Sequence, residues 1–379
     1  MKIGVPKEII PQEKRVALIP ESIKRIIKKG FEVQVEAGAG DLSLIPDADY
    51  EKAGARIVSS AESLYAESDI LLKVQKPARN PANGKDEAEL IREGAVLIAF
   101  LQPVQNPDLV KKLAARNVTS FSMDAIPRTT LAQSMDALSS MATIAGYKAV
   151  LTAANAICKF FPMFMTAAGT IAPAKVLVIG AGVAGLQAIA TAKRLGAVVE
   201  VFDTRPAARE QAESLGVKAI KMDELGTEET ETKGGYARQL SDEIHRKEIE
   251  LIKKHAVASD VVITTAQIYG KKAPILFPES TVREMKQGSC IVDLAVEQGG
   301  NCELTEPGKE VVRHGVIING FTNVPSSLSF HASQMYSRNI EKFLFHLTND
   351  KGFKFDFKDE ITAGSVITHQ REVLFGKTP

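Results

Sequence analysis

The sequence predicts an α/β protein made of two doubly wound parallel-sheet domains joined by a long helix, with a cleft between them. Three observations carry that prediction. Short apolar runs alternate with helical patterns along nearly the whole chain, the order expected of parallel strands linked by helical crossovers. The alternation restarts at Lys175, where a second set of strands begins. Between the two sets, residues 131–157 keep helical periodicity over about seven turns, with only Gly146 inside it.

In the first set the predicted strands are 2–5, 32–36, 70–74, 96–100 and 118–122. Between the first two lies an amphipathic helix, opened by Pro20 and Glu21 and closed by Gly30. Strand, helix and strand in this order imply parallel pairing with right-handed crossovers. The second set comprises 176–179, 198–202, 217–222, 261–265, 290–294 and 316–319, the strand count of a complete dinucleotide-binding domain. A further helical pattern at 334–347 precedes a Lys/Asp-rich end too small to fold alone. It is expected to pack back on the first domain, giving one domain of residues 1–138 plus 325–379 and another of 139–324.

At roughly 150 residues per domain, 379 residues suit two domains or three small ones. Lys+Arg 47 against Asp+Glu 46 leaves a formal net charge of +1, so no surplus exists to hold a nucleic-acid backbone. A hydrophobic fraction of 45% and a charged fraction of 25% exclude a disordered chain. Cys158, Cys290 and Cys302 contain no Cys-x-x-Cys pair, which argues for reduced thiols and against a disulfide framework or a metal site. The opening MKIGVPKE turns polar at Lys7 and lacks a signal-peptide core. The most apolar stretch, 151–174, is interrupted by Lys159, Pro162, Gly169 and Pro173, so it reads as a buried helix followed by a loop, not as a membrane span.

The sharpest motif is Gly180-Ala181-Gly182-Val183-Ala184-Gly185, between a predicted strand and a helix ending at Gly196. Gly180 permits the tight turn, Gly182 leaves room for a pyrophosphate, and Gly185 lets the helix lie against the strand. The helix N-terminus then offers free N–H groups to the phosphates. Asp203, in Val198-Val-Glu-Val-Phe-Asp203-Thr204-Arg205, is the acidic residue that the motif requires at the end of the next strand. A carboxylate there accepts both adenosine-ribose hydroxyls and repels a 2′-phosphate, so NAD(H) is favoured. Arg205 is the dissenting residue, because an Arg can receive that phosphate. The run ending Thr264-Thr265-Ala266-Gln267 is expected over the nicotinamide ribose, since ligands sit beyond the carboxyl ends of parallel strands.

A substrate dehydrogenase also needs a positioned acid or base. None of His245, His255, His314, His331, His346 and His369 is expected to end a strand or follow a glycine turn. The polar constellation that stands out is Arg128, Gln133, Ser134, Asp136 and Ser139. On a helix, Gln133, Asp136 and Ser139 fall three apart and form one stripe. The stripe either caps the interdomain helix or holds the nicotinamide carboxamide and ribose, with Arg128 locked by Asp136. The segment 223–246 is long for a connection, and its Gly234-Gly235 and Tyr236 suit a lid closing over a dinucleotide or a solvated insertion.

These residues resemble the NAD(H)-binding component of the proton-translocating NAD(P) transhydrogenases over essentially the whole chain. The matching motifs are KEIIPQEKRVALIPE, RTTLAQSMDALSSMATIAGYKAV, FPMFMTAAGTIAPAKVLVIGAGVAGLQAIATAKRLGAVV, GGYARQ and IVDLAVEQGGNCELTEPG. The resemblance implies two Rossmann-like domains in a homodimer. It places Arg128, Gln133, Asp136 and Ser139 at the nicotinamide end, Val183 and Asp203–Arg205 at the adenosine end, and Gly235 and Tyr236 in a mobile loop. It further implies hydride transfer from NADH to NADP(H) held on a partner component, and a separate membrane component that carries protons. The chain would then lie on the cytoplasmic face of the inner membrane, attached through those partners.

Alanine dehydrogenase is similar in pattern and is the rival reading. Arg15 and Lys73 sit where that enzyme holds its substrate carboxylate. Its catalytic His, however, falls where this chain has Gln102, and its catalytic Asp where this chain has Glu297. Hydride exchange between two nicotinamides releases no substrate proton and needs no such carrier. A third reading, an NAD-sensing module without turnover, stays open.

Overall fold

The computed structural model describes residues 1–220, 242–267, 272–349 and 352–376. They divide into two compact units, Met1–Met141 with Pro325–Pro379, and Ala142–Val324.

In the first unit six parallel strands are, in chain order, Lys2–Val5, Glu32–Glu36, Arg56–Val58, Ile70–Gln75, Val96–Phe100 and Thr119–Ser122. Their order across the sheet is 3-2-1-4-5-6, so the topological switch point lies between Lys2–Val5 and Ile70–Gln75. The central strands are buried on both faces, which is why Ile70–Gln75 and Val96–Phe100 read as unbroken apolar runs rather than alternating ones. Helix Pro20–Lys28 starts with Pro, carries Glu21 in its first turn and buries Ile23 and Ile26.

The C-terminal segment completes this unit. Helix Ser329–Leu347 buries Tyr336, Ile340, Phe343, Leu344 and Leu347. Its Ser333 and Ser337 hydroxyls accept the Val16 and Ile19 amides at 3.0 Å each, satisfying backbone donors that the buried loop would otherwise strand. Val366–His369 then pairs antiparallel with Thr119–Ser122, and Glu372–Val373 returns beside it. Their tight connection holds Gln370 and Arg371 at φ 47° and 66°. Two left-handed residues suit a hairpin turn, but the pair lacks the Asn-Gly signature, so the sequence does not announce it. His369 therefore ends a strand, against expectation.

The second unit repeats the plan. Lys175–Ile179, Val198–Phe202, Lys218–Ala219, Val261–Thr264, Cys290–Asp293 and Val316–Asn319 are parallel in the same 3-2-1-4-5-6 order. Glu310–Arg313 pairs antiparallel with Val316–Asn319 at the edge. Pleat alternation splits the first strand between two cores. Val176 and Val178 join Ala149, Ala153 and Ile189, while Leu177 and Ile179 join Ile252 and Ile291.

Three expectations are corrected. Residues 131–157 are not one helix, because Gln133–Met135 is a single 3₁₀ turn and the α-helix is Ala137–Ala156. Asp136 leaves the helical region at ψ 89° and accepts the Ser139 amide at 2.8 Å and its hydroxyl at 2.5 Å. The side chain thus competes with the helix and caps it, as short acidic side chains do. The expected strand 217–222 shortens to Lys218–Ala219 within the described residues. The stretch 151–174 does not end in a loop, since Phe164–Thr166 and Gly169–Ile171 form an exposed hairpin after the helix. Gly169 turns it at φ 116°. Of the connection 223–246, residues 223–241, with Gly235 and Tyr236, lie outside the described residues, and helix Asp242–Ala256 takes the rest.

Candidate functional site

The glycine turn in the second unit is built as its motif demands. Gly180 sits at φ 92°, and a Cβ on it would stand 2.6 Å from the Thr265 hydroxyl. On Gly185 a Cβ would lie 1.8 Å from the Gly180 carbonyl oxygen, so the helix touches the strand there. At Gly182 a Cβ would meet nothing within 4 Å. That space is what a phosphate needs for close approach to the backbone. Gly182 is also the cap of helix Val183–Arg194, and no side chain takes up the helix's leading amides. Those donors, with the positive end of the helix dipole, suit an anion. The residues present fit a dinucleotide pyrophosphate.

Asp203 directly follows strand Val198–Phe202 and is only 4% exposed. Its Oδ2 accepts the Ala181 amide at 2.7 Å, tying the acidic residue to the glycine turn. Arg205 turns back on it, donating Nε to Oδ1 at 3.0 Å and Nη2 to Oδ2 at 2.8 Å. Arg209 donates to the Asp203 and Thr204 carbonyl oxygens at 2.9 Å each. Val183 is partly exposed at the first turn of the helix, and Ala184 sits beneath Gly146. A Cβ on Gly146 would stand 2.0 Å from the Ala184 carbonyl oxygen, which explains the one glycine in a 20-residue helix.

The strand Val261–Thr264 leads into Thr265, Ala266 and Gln267 across the switch point from the glycine turn. Asn301 fixes this segment, accepting the Ala266 amide at 3.1 Å and donating to its carbonyl oxygen at 2.9 Å. Asp293 in turn receives the Asn301 and Cys302 amides at 2.8 and 3.0 Å and the Thr264 hydroxyl at 3.0 Å. The sequence reading missed both as positioning residues. The signal available was an acidic residue at a buried strand end just before Gly299-Gly300, both at positive φ. Gln267 is exposed and donates to the Leu294 carbonyl oxygen at 3.1 Å.

In the first unit, Gln133 and Ser134 are exposed on the 3₁₀ turn, and Asp136 and Ser139 form the cap just described. Asn339 donates to the Ser134 carbonyl oxygen at 2.9 Å, fixing the turn to helix Ser329–Leu347. Arg128 is exposed. Near the switch point of this sheet lies a buried ionic cluster. Arg15 makes a bidentate pair with Glu13, and Gln75 also donates to Glu13 at 2.8 Å. Lys73, fully buried, lies 3.0 Å from Glu87 and 3.5 Å from Glu8. Burial pushes Glu8 up, against the pull of Lys73 and with Glu13 and Glu87 adding to the rise, to about 7. Burial also pushes Glu13 up, but Arg15 and Gln75 outweigh it and bring that carboxyl down to about 2.

Gln102, at φ 48°, accepts Lys76 at 3.4 Å, and Glu297 accepts the Asn323 amide at 3.0 Å. Five histidines carry hydrogen-bonding partners. His245 faces Glu248, His255 faces Glu200, His314 faces Glu279, His346 faces Asp359 and His369 faces Thr119. Among the described residues, no helix is long and apolar enough to cross a membrane.

Two family descriptions match the chain, the alanine dehydrogenase/PNT N-terminal domain over residues 4–145 and its C-terminal domain over residues 149–376. The sequence is 48% identical over 376 residues to the first of the separate polypeptides that make up the NAD(P) transhydrogenase alpha subunit of Rhodospirillum rubrum, covering 99% of this chain and 98% of that one. The crystal structure of transhydrogenase from Sinorhizobium meliloti superposes with a TM-score of 0.87 at 43% identity, over 98% of this chain and 100% of the other. An L-alanine dehydrogenase structure superposes with a TM-score of 0.82 at 26% identity, over 100% of this chain and 98% of the other.

Proposed function

From the premise that the chain belongs to the alanine dehydrogenase/PNT family, we propose that it is the NAD(H)-binding component of a proton-translocating transhydrogenase. In this reading it presents NADH for direct hydride transfer to NADP(H) on a partner component, while a separate membrane component carries protons. The Rhodospirillum rubrum relative is named as a portion of one subunit, which supports such a division of labour. The chain acts as a homodimer on the cytoplasmic face of the inner membrane, held there by its partners.

The observation that carries the reaction type is Gln102. It stands where the amino-acid-oxidising relative has its catalytic His, and an amide carries no proton at neutral pH. Glu297, at the position of the other catalytic group, is engaged with the Asn323 amide. Arg15 and Lys73, the anchors of the rival's substrate carboxylate, each have carboxylate partners of their own.

The roles follow from the chain's own groups. Gly182 and the amides of Val183, Ala184 and Gly185 hold the pyrophosphate, and Gly180 sets the turn. Asp203, Thr204 and Arg205 hold the adenosine end, with Val183 as an apolar neighbour. Ala266 and Gln267 address the nicotinamide ribose. Arg128, Gln133, Ser134, Asp136 and Ser139 orient the nicotinamide, and Gly235 and Tyr236 belong to a lid. When bound, NADH supplies the hydride. The protein's task is then orientation and exclusion of water, for which no titrating side chain is required.

Two assays on the purified protein test this. NADH should bind far more tightly than NADPH, and NAD with L-alanine should give no appreciable reduction. Equal affinities would remove the cofactor assignment, and robust alanine turnover would move the chain to the dehydrogenase reading.

A further inference from the structure

We infer that Arg205 competes with the adenosine ribose for the Asp203 carboxylate, and so sets both the affinity for NADH and its margin over NADPH. The inference rests on the NAD(H) reading and deepens it. A carboxylate offers about four lone-pair positions, and Asp203 has four donors on them. Oδ1 accepts the Arg205 amide at 2.8 Å and Arg205 Nε at 3.0 Å. Oδ2 accepts the Ala181 amide at 2.7 Å and Arg205 Nη2 at 2.8 Å. Two of the donors are backbone groups, fixed by the glycine turn and by the entry to helix Pro206–Ser214. The other two belong to one guanidinium.

A ribose diol also brings two O–H donors. Its recognition by Asp203 is therefore an exchange, two hydroxyls for Nε and Nη2. Arg205 is able to leave, since its side chain reaches the surface at 16% exposure while that of Asp203 stays at 4%. Arg209 does not fill the same positions, because it is engaged with the Asp203 and Thr204 carbonyl oxygens. A displaced guanidinium keeps its charge and its planar fork near the ribose, and that fork matches a phosphate. Asp203 repels a 2′-phosphate, and Arg205 moderates the repulsion. One side chain thus works against NADH and in favour of NADPH.

The test is calorimetric titration of the full chain and its Arg205→Met variant with NADH and with NADPH, alongside thermal melts. Met keeps the apolar stem and removes all the donors. NADH should bind more tightly to the variant by on the order of tenfold, the factor for a receptive state present about one time in ten. NADPH should gain less than NADH or lose affinity, so the margin between them widens. Without nucleotide the variant should melt lower, because a buried carboxylate has lost two donors, and NADH should raise its midpoint more than it raises that of the unaltered protein. Arg205→Lys keeps the charge without the fork. It should lie between the two, and it decides the matter if Arg205→Met does not fold. A lower melting point with unchanged NADH affinity would reduce Arg205 to a structural residue and overturn the inference. So would weaker NADH binding, which would make Arg205 a plain ligand of the adenosine. If the unaltered chain binds no NADH, the underlying reading falls as well. If it binds NADH and the variant gains nothing, only the competition falls.

Discussion

Glu8 shows how one side chain carries information that spacing alone does not. Its Oε1 accepts the Val74 amide at 2.6 Å, while Lys73, Glu13 and Glu87 crowd the same buried region. Burial raises its pKa from 4.5 to about 7, so the folded chain holds this proton more tightly than the unfolded chain does. The stability this contributes is fully present below about 4.5 and is lost as pH rises through about 7. Denaturant midpoints should therefore fall from pH 5 to pH 8 in the unaltered protein, and fall distinctly less in Glu8→Gln. An identical fall in both would show that Glu8 does not titrate in that window. The sequence named Arg15 and Lys73 but not their partners. Glu8 and Glu13 follow the first strand of the sheet, Glu87 lies beyond the fourth, and only the fold brings them to one switch point.

At the scale of elements, the three glycines of the turn separate binding from folding. Gly182→Ala adds a Cβ where nothing lies within 4 Å, at a φ of −75° that alanine accepts. Its stability should stay within about 0.5 kcal/mol, as for a surface change. NADH affinity should fall ten- to a hundredfold, the equivalent of a clash of roughly 1–3 kcal/mol with the pyrophosphate. Gly185→Ala should behave in the opposite sense, losing stability because its Cβ would stand 1.8 Å from a backbone oxygen. Equal stability losses in the two variants would refute this division. These glycines were legible because each has a distinct steric duty in a short local motif. The break at Asp136 was not, because helical periodicity continues through it, and only the side-chain contacts with Ser139 reveal a cap. The hairpin at 164–171 was hidden in the same way, since its apolar composition suits burial while Phe164, Met165 and Ile171 are exposed. Strand Val366–His369 escaped notice because it joins the sheet by antiparallel pairing with Thr119–Ser122, far away in sequence.

At the scale of the whole molecule, a near-zero net charge, two sheets of identical strand order and a chain without a membrane-length apolar helix among its described residues describe a nucleotide-presenting component. Such a component orients a reactive ring and leaves proton movement to other chains. The strand order was legible from the alternation of runs, and the reaction type from a residue that is missing its acid. The claim that hydride passes directly between two nicotinamides, with no side-chain proton carrier, is tested most directly by isotope. The protein is mixed with an NADP(H)-binding component in ordinary water, with NADH deuterated at the transferring C4 position, and the rate is followed from pH 6 to 8. The account predicts that the NADPH formed retains the deuterium and that the transfer step is nearly flat across that range. Loss of the label to solvent, or a steep pH dependence abolished by Asp136→Asn, would contradict it.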